Sequence, residues 1–199
     1  SETLRHNALK RLDASGCNLD RPGTHGLPAL THLTLSQNSI HFLPDRIFSK
    51  NPSLLFLNVA GNGLSRINSS SFAGIPRLQH LDLSGNNLEY IPSAAFRDNL
   101  ELITLNLSYN DLKNFPRKLI SSTINLDLTA NLIENVPSDS LVNIWRLNWL
   151  DLGRNRLESF DSGISSRTLT TLSLEGNRLT RLTNSSFGGF PKLTRLDLS

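Results

Sequence analysis

The sequence contains a single cysteine, Cys17, among its 199 residues. One cysteine excludes an intrachain disulfide, so no disulfide framework holds this fold. No apolar run approaches the roughly 18 residues of a membrane span, and the first residues lack the apolar stretch of a signal peptide. Either the chain is cytosolic, or a signal peptide was removed or lies outside this segment. Any membrane anchor is likewise expected outside it.

The sequence is also poor in features that carry chemistry. The formal net charge is +3, which is too weak to predict nucleic-acid binding without a clustered basic face. We find no glycine-rich phosphate loop, no metal-ligand cluster and no nucleophile motif. The sequence therefore predicts no catalytic residue, no metal, no cofactor and no enzyme activity.

What the sequence has instead is one pattern that recurs from residue 9 to residue 199. Eight eleven-residue copies align without gaps, and a ninth, LTRLDLS, is truncated. The copies begin at residues 9, 30, 54, 78, 102, 123, 147, 169 and 193. We number the positions within a copy from one to eleven. Position four is leucine in every copy, position six is alanine, valine or leucine, and position nine is asparagine in seven copies.

This pattern resembles the leucine-rich repeat, whose period is about 20 to 29 residues. The resemblance implies an α/β repeat solenoid over residues 1–199, a horseshoe with a parallel β-sheet on its concave face and a mostly irregular convex side. Elementary geometry agrees, because the LxL spacing points alternate side chains to one face of a strand. One repeat cannot bury its own apolar face, so neighbouring repeats must stack.

The ends of the array predict that the segment is part of something longer. A stacked solenoid needs terminal units with a polar outer face, and extracellular members of the family usually carry cysteine-rich caps. Neither end of this sequence has such a cap, and the last copy stops within a repeat. We therefore expect a fragment of a longer array that lacks both caps.

The asparagine at position nine is predicted to satisfy backbone groups where the chain turns after each strand. Its amide has both donors and acceptors, and buried backbone groups need partners. We expect Cys17 to fill this position in the first copy as a small, mostly buried group. The predicted ladder consists of Asn38, Asn62, Asn86, Asn110, Asn131, Asn155 and Asn177.

A phenylalanine recurs in the second half of several repeats. Phe48, Phe72, Phe96 and Phe187 fall at the same place, and we expect them to form an aromatic core under the convex surface. Ile120, Leu141 and Ile164 stand there in other repeats. The 24-residue form with this phenylalanine resembles the "typical" class of extracellular leucine-rich repeats, as in Toll-like receptors and chaoptin-like adhesion proteins.

Three glycosylation sequons begin at Asn68, Asn106 and Asn184. Together with the resemblance, they predict an extracellular or cell-surface protein with N-linked glycans. The family implies recognition of a protein ligand or co-receptor, as a receptor ectodomain or an adhesion protein, and a second copy of the chain is an open alternative. An intracellular leucine-rich-repeat scaffold is the alternative function.

The concave face is the expected binding surface, with Phe56, His80, Tyr109 and Trp149 as its candidate contacts. Exposed aromatic side chains are common anchors of protein interfaces. The alternative is that Phe56 and Trp149 pack along the sheet against residues of flanking strands.

Two other pairs of residues on this face are not predicted to form a metal site or a catalytic pair. His32 and His80 are predicted two strands apart, too far for one zinc ion, and Asp127 and Asp151 lie on open sheet.

A second candidate surface is basic and follows the strands of the seventh and eighth copies. Its members are Arg154, Arg156, Arg178 and Arg181. They suit an acidic partner or a polyanionic glycan. The alternative is a solvated face without a partner.

Overall fold

The structure is a computed structural model that describes residues 6–23, 26–160, 162–183 and 185–199. These residues form one sheet of nine parallel strands in chain order. The strands are β1 (Arg11–Asp13), β2 (His32–Thr34), β3 (Phe56–Asn58), β4 (His80–Asp82), β5 (Thr104–Asn106), β6 (Asn125–Asp127), β7 (Trp149–Asp151), β8 (Thr171–Ser173) and β9 (Arg195–Asp197). They occupy positions three to five of each copy, so the predicted solenoid is confirmed.

The register of the sheet follows the repeat without a shift. Leu57 pairs with Leu81, and Leu81 pairs with Leu105. The central residue of each strand from β2 to β8 points into the core, while its two neighbours are half-buried on the opposite face. This alternation is the period of two that an extended strand imposes, and it leaves positions three and five of every turn on the concave face.

The core is continuous from turn to turn because each turn contributes leucines at the same positions. Leu78, Leu81, Leu83 and Leu88 of one turn are all buried in the same cluster as their counterparts in the neighbouring turns. In contrast, Leu196 of β9 is 39% exposed, since β9 has only one neighbouring strand.

The convex side is built of turns, and no helix occurs in the described residues. Phe48 and Phe72 stack with ring centroids 6.5 Å apart, and Phe72 and Phe96 stack at 5.8 Å. All three are buried, as the repeat predicts. Phe187 is only partly buried, and it stacks on Phe160 at 5.6 Å.

The asparagine ladder ties successive turns together. Asn86 donates through Nδ2 to the carbonyls of Leu83 and Ser84 in its own turn. It also donates to Val59 of the preceding turn and accepts a hydrogen bond from the backbone N–H of Leu64. The same four bonds recur at each of the other six asparagines of the ladder.

The burial predicted for Cys17 is wrong, because the structure places its thiol on the surface. Each ladder asparagine reaches back to the turn before it, whereas Cys17 lies in the first turn of the described solenoid. The Cys17 thiol meets only the carbonyl oxygen of Ser15, at 3.4 Å, among the bonds of the described residues.

Candidate functional site

The N-terminal half of the concave face carries a row of three stacked rings. Phe56 in β3 pairs in register with His32 in β2 and with His80 in β4. Its ring centroid lies 5.9 Å from that of His32, at an interplanar angle of 22°, and 6.4 Å from that of His80. We call His32, Phe56 and His80 the aromatic row. Each member is half-buried, so the row offers one face to solvent.

Phe56 therefore follows the alternative prediction, since it packs along the sheet against residues of flanking strands. Packing does not remove it from the surface, because its ring keeps a solvent-facing side. Burial, and then the charges of Arg11 and His80, lower the pKa of His32. The neutral form of this imidazole is favoured, and a neutral ring stacks on Phe56 without a desolvated charge.

Trp149 lies in the same column of the sheet, in β7, and is half-buried. Three strand spacings of about 4.8 Å separate it from His80, and Thr104 and Asn125 occupy the strands between. The aromatic row and Trp149 thus mark two ends of one strip. The structure does not bring Tyr109 into this strip: it follows β5 in a turn with a φ of 53° and is 58% exposed.

Position five of each copy, the last residue of its strand, forms a second column on the concave face. Most members of this column are acidic or amide side chains. Their role was not predicted. Asp82 accepts hydrogen bonds from the backbone N–H and the hydroxyl of Ser84. Asn58 accepts likewise from the N–H of Ala60. A hydrogen bond from the N–H two residues later to an Asp or Asn side chain closes an Asx turn. This turn leads the chain out of the strand.

Asp127 is the member of this column whose carboxyl pKa is raised by the fold. Burial raises the pKa of Asp127, and the charges of Asp151 and Asp82 act in the same direction. The hydrogen bonds from Thr129 oppose this shift. Asp127 and Asp151 pair in register, and Oδ1 of Asp151 accepts a hydrogen bond from the N–H of Gly153. Within the described residues, no cluster of histidine, cysteine or acidic side chains could hold a metal.

Asn106, one of the three sequon asparagines, lies in the middle of this column, in β5. Its Oδ1 accepts from the backbone N–H of Ser108 at 3.0 Å and from the Ser108 hydroxyl at 2.7 Å. The Nδ2 that would carry a glycan is not needed for this turn. Asn68 lies on the outer wall, where its Nδ2 donates to Asp45 at 3.0 Å. Asn184 lies outside the described residues.

The four arginines of the basic surface are all exposed and follow β7 and β8. Arg154 is partly neutralised by Glu175, with its guanidinium nitrogen 3.5 Å from the carboxylate. Arg156 and Arg178 occupy position ten of successive turns, and each N–H donates to the turn before it. Arg181 follows three residues after Arg178.

Sequence reasoning missed a second buried amide and a turn at the start of each strand. Asn99 donates through Nδ2 to the carbonyls of Phe72 and Ile75 in the preceding turn, and Asn51 donates similarly to Leu27. Both amides lie three residues before their copies begin, where the other copies carry mostly apolar residues, so the pattern was hard to see. The equivalent turn before β7 follows Ile144 and holds Trp145, at a position where four other copies have proline.

Comparison with known proteins agrees with this architecture. Residues 28–88 match a family model described as "Leucine rich repeat", and residues 168–190 match another of the same description. Both matches fall on copies whose strands, ladder and core are described above. The chain is built of leucine-rich repeats.

Several solved structures share the fold of this leucine-rich-repeat protein. The TLR13–ssRNA13 complex aligns with a TM-score of 0.82 and 24% identity, over 96% of this chain and 27% of that one. Human 5T4 (trophoblast glycoprotein) aligns at 0.79 and 25%, over 95% and 76%. The glycosylated form of the Drosophila Toll–Spatzle complex aligns at 0.82 and 23%, over 96% and 28%. The chain therefore spans about a quarter of the first and third of these proteins. A comparison with curated proteins finds no match.

Among the described residues, no helix is long and apolar enough to cross a membrane.

Proposed function

We propose that this leucine-rich-repeat protein recognises another protein through its concave sheet, with the aromatic row at one end of the contact and Trp149 at the other. The observation that carries the proposal is the aromatic row itself. Its three rings are already held against one another on rigid strands. A partner would therefore lose little side-chain entropy by ordering them, which favours binding.

The dimensions of the strip suit a macromolecule better than a small ligand. Four strand spacings separate Phe56 from Trp149, or about 19 Å. Small molecules bind in enclosed, mostly apolar clefts, whereas this face is an open sheet. A protein surface can touch both ends of the strip at once.

The charge of the concave face favours a protein ligand over nucleic acid. Asp82, Asp127 and Asp151 stand beside the aromatic column, and nucleic-acid affinity depends largely on cations that neutralise phosphates. TLR13 is a structural neighbour in complex with single-stranded RNA, while Toll is a neighbour in complex with Spatzle. For this chain we infer a protein partner, and a second copy of the chain is one candidate.

We infer a secreted or cell-surface location and N-linked glycans. Three features support this: the Phe48–Phe72–Phe96 stack typical of the 24-residue class, the surface position of Asn68, and neighbours that include a trophoblast glycoprotein and a glycosylated Toll. A receptor ectodomain and an adhesion protein both fit this location. An intracellular leucine-rich-repeat scaffold is the alternative, and it predicts that the sequons carry no sugar.

Leucine-rich-repeat folds are generally binding modules rather than enzymes, and we infer the same here, with no cofactor. The acidic residues of the concave face already accept hydrogen bonds in Asx turns, as Asp82 and Asp151 do. The exposed arginines Arg156, Arg178 and Arg181 form a second candidate surface for an acidic protein. Arg154 contributes less to it, because Glu175 neutralises part of its charge.

The proposal is tested by screening the secreted chain against a panel of purified cell-surface ectodomains that includes the chain itself. A binder is then measured against Phe56→Ala and Trp149→Ala. We expect each change to weaken binding at least tenfold, because buried aromatic anchors contribute most of an interface energy. Phe42→Ala is the matched control, since Phe42 is an exposed phenylalanine outside the sheet.

Unfolding curves of each variant separate loss of fold from loss of contact. A binder that retains full affinity for folded Phe56→Ala and Trp149→Ala proteins would remove the concave strip from the interface. Loss of binding in Arg156→Glu or Arg178→Glu alone would move the site to the basic edge.

A further inference from the structure

A four-residue turn closed by a backbone hydrogen bond precedes eight of the nine described strands, and it carries a surface position that the core does not use. Before β8 the N–H of Leu169 instead donates to the Ser166 hydroxyl at 3.3 Å. The N–H of Leu54 donates to the carbonyl of Asn51 at 3.0 Å, and that of Leu78 donates to Ile75 at 3.2 Å. Proline is favoured at the second position of such a turn. Proline occupies it in four turns, and it is exposed in each: Pro28, Pro52, Pro76 and Pro191.

Four consecutive turns between Pro76 and Pro191 depart from this rule. Their second-position residues are Leu100, Ser121, Trp145 and Arg167. The turn around Trp145 keeps the standard bond, from the N–H of Leu147 to Ile144 at 3.0 Å. Leu100 is nevertheless 67% exposed and Trp145 is 69% exposed. Since the same position faces water in the proline turns, the core gives no reason for large apolar side chains there.

Trp145 borders a pocket whose wall is partly apolar. The pocket has a volume of about 400 Å³ and is lined by Leu141, Val142, Trp145, Ser165, Ser166 and Arg167. Val142 is itself 60% exposed. The hydroxyls of Ser165 and Ser166 add polar groups at its wall, and no carboxylate lines it.

The charge around this pocket is positive and unneutralised. Arg146 and Arg167 are exposed and form no ion pair within the part of the chain that the structure describes. Two acidic side chains of the same edge, Asp98 and Glu101, lie outside this pocket, and each is already bonded to another side chain. Asp98 pairs with Arg97 at 3.8 Å, and Glu101 accepts a hydrogen bond from Gln79.

Asp139, a third acid, lines the adjoining pocket together with Arg117 and Lys118. The cations of that pocket outnumber its single carboxylate. The charge of the edge near Trp145 therefore complements an acidic ligand.

We propose that this edge, defined by Leu100, Val142, Trp145 and Arg167, binds an extended acidic protein segment that carries an apolar side chain beside a carboxylate. The apolar side chain enters the pocket at Trp145, and the carboxylate pairs with Arg167. Tryptophan and arginine are the residue types most enriched among energetically dominant interface contacts. Three turn spacings separate Leu100 from Arg167, about 14 Å, which four or five extended residues span.

This site is distinct from the concave face. Trp145 lies in the turn that precedes β7, whereas Trp149 lies within β7. One leucine-rich-repeat protein could therefore hold two partners, or two parts of one partner, at the same time.

The chain supplies a matched variant for the test. In Trp145→Pro, the new residue is the one that occupies the same turn position in four other turns, so the fold is expected to survive. The experiment selects displayed random peptides on the wild-type chain and measures their affinity for Trp145→Pro, Arg167→Glu and, as a control, Trp149→Ala. Thermal unfolding checks each variant.

We expect selected peptides to carry an aromatic or aliphatic residue within two positions of Asp or Glu. Their affinity should fall at least tenfold in Trp145→Pro and in Arg167→Glu and stay unchanged in Trp149→Ala. Replacing the peptide's acid by lysine should restore binding to Arg167→Glu.

Three results would overturn the proposal. The first is that no peptide is enriched, or that enriched peptides bind folded Trp145→Pro as tightly as wild type. The second is that the enriched peptides lack an acidic residue and bind Arg167→Glu as tightly as they bind the wild type. The third is a wild-type dimer that Trp145→Pro converts to monomer in sedimentation, because a second copy of the chain would then be the occupant.

Discussion

The side-chain amide of Asn86 donates a hydrogen bond to the backbone carbonyl of Val59, 27 residues earlier, at 3.1 Å. The bond crosses from one turn of the solenoid to the turn before it. Asn110 makes the equivalent bond to the carbonyl of Leu83 in the preceding turn, at 3.0 Å. It also donates to Leu107 in its own turn, at 3.1 Å. The stacking that buries the leucines is therefore accompanied by a polar tie at the same point of every turn.

Replacing this tie should weaken the fold measurably. Asn86→Ala leaves the buried N–H of Leu64 without its acceptor. It also removes one donor from each of the Val59, Leu83 and Ser84 carbonyls, which keep a second donor. Unsatisfied buried groups cost about 1–3 kcal/mol, so we expect a loss of that size in the free energy of unfolding, measured by urea titration. Asn87→Ala is the control, because the neighbouring Asn87 is exposed. Equal stability of the two variants would contradict a structural role for the ladder.

Position eight of each copy has a left-handed backbone, whether or not it is glycine. Gly85 has a φ of 62°, and Ala130, at the same position, has a φ of 54°. A Cβ on Gly85 would meet only ordinary contacts with Gly61, at 3.4–3.5 Å. The cost of Gly85→Ala is therefore conformational.

We expect Gly85→Ala to lower the free energy of unfolding by about 1 kcal/mol, because a left-handed backbone costs an L-residue roughly 1–2 kcal/mol, and reduced freedom of the unfolded chain offsets part of it. Thermal unfolding measures the change. Gly23→Ala should show no such loss, since Gly23 has no positive φ and nothing lies within 4 Å of its added Cβ.

The acid column predicts how stability depends on pH. The pKa of Asp127 is raised in the folded state, mainly by burial, so the folded chain holds this proton more tightly than the unfolded chain does. Stability is then lost as pH rises from the unfolded value of about 3.9 through the folded pKa, and the loss persists at neutral pH.

Asp127→Asn should remove this loss and make the protein more stable at pH 7 than the wild type. The amide keeps the acceptor of the Asx turn, as Asn58 and Asn106 do in their own strands. Unfolding midpoints of both proteins between pH 3 and pH 8 give the comparison. If the two profiles run parallel across this range, burial does not raise the pKa of the Asp127 carboxyl.

The glycan prediction can be tested without disturbing local structure. Asn106→Asp removes one sequon and retains the Asx acceptor that Asp82 provides in the adjacent strand. Ser70→Ala removes the Asn68 sequon and leaves the bond between Asn68 and Asp45 in place. After expression through the secretory pathway, N-glycosidase should shift the wild type.

Each variant should lose part of that shift if its asparagine carries sugar, and Asn184→Gln reports on the third sequon. A wild type that N-glycosidase does not shift would favour the intracellular scaffold. A glycan at Asn106 would cover the middle of the concave strip and leave its two ends, at Phe56 and Trp149, for a partner.

The sequence by itself determined the turn and its repetition. Leucine at positions four and six and asparagine at position nine recur at fixed spacing, and each requirement is local to one turn: an alternating strand, a buried corner, a polar tie. The nine strands, their register and the ladder could therefore be predicted, as could the convex stack of Phe48, Phe72 and Phe96.

The tertiary structure alone decided which variable side chains meet across neighbouring turns and which of them face water. It set Phe56 between His32 and His80, left Cys17 in water, and gave Trp145 an exposed position beside Arg167. These outcomes depend on which side chains meet across neighbouring turns, 20 or more residues apart in the chain. A repeat fixes the spacing of its turns, but the contacts between their variable residues form only when the turns are stacked.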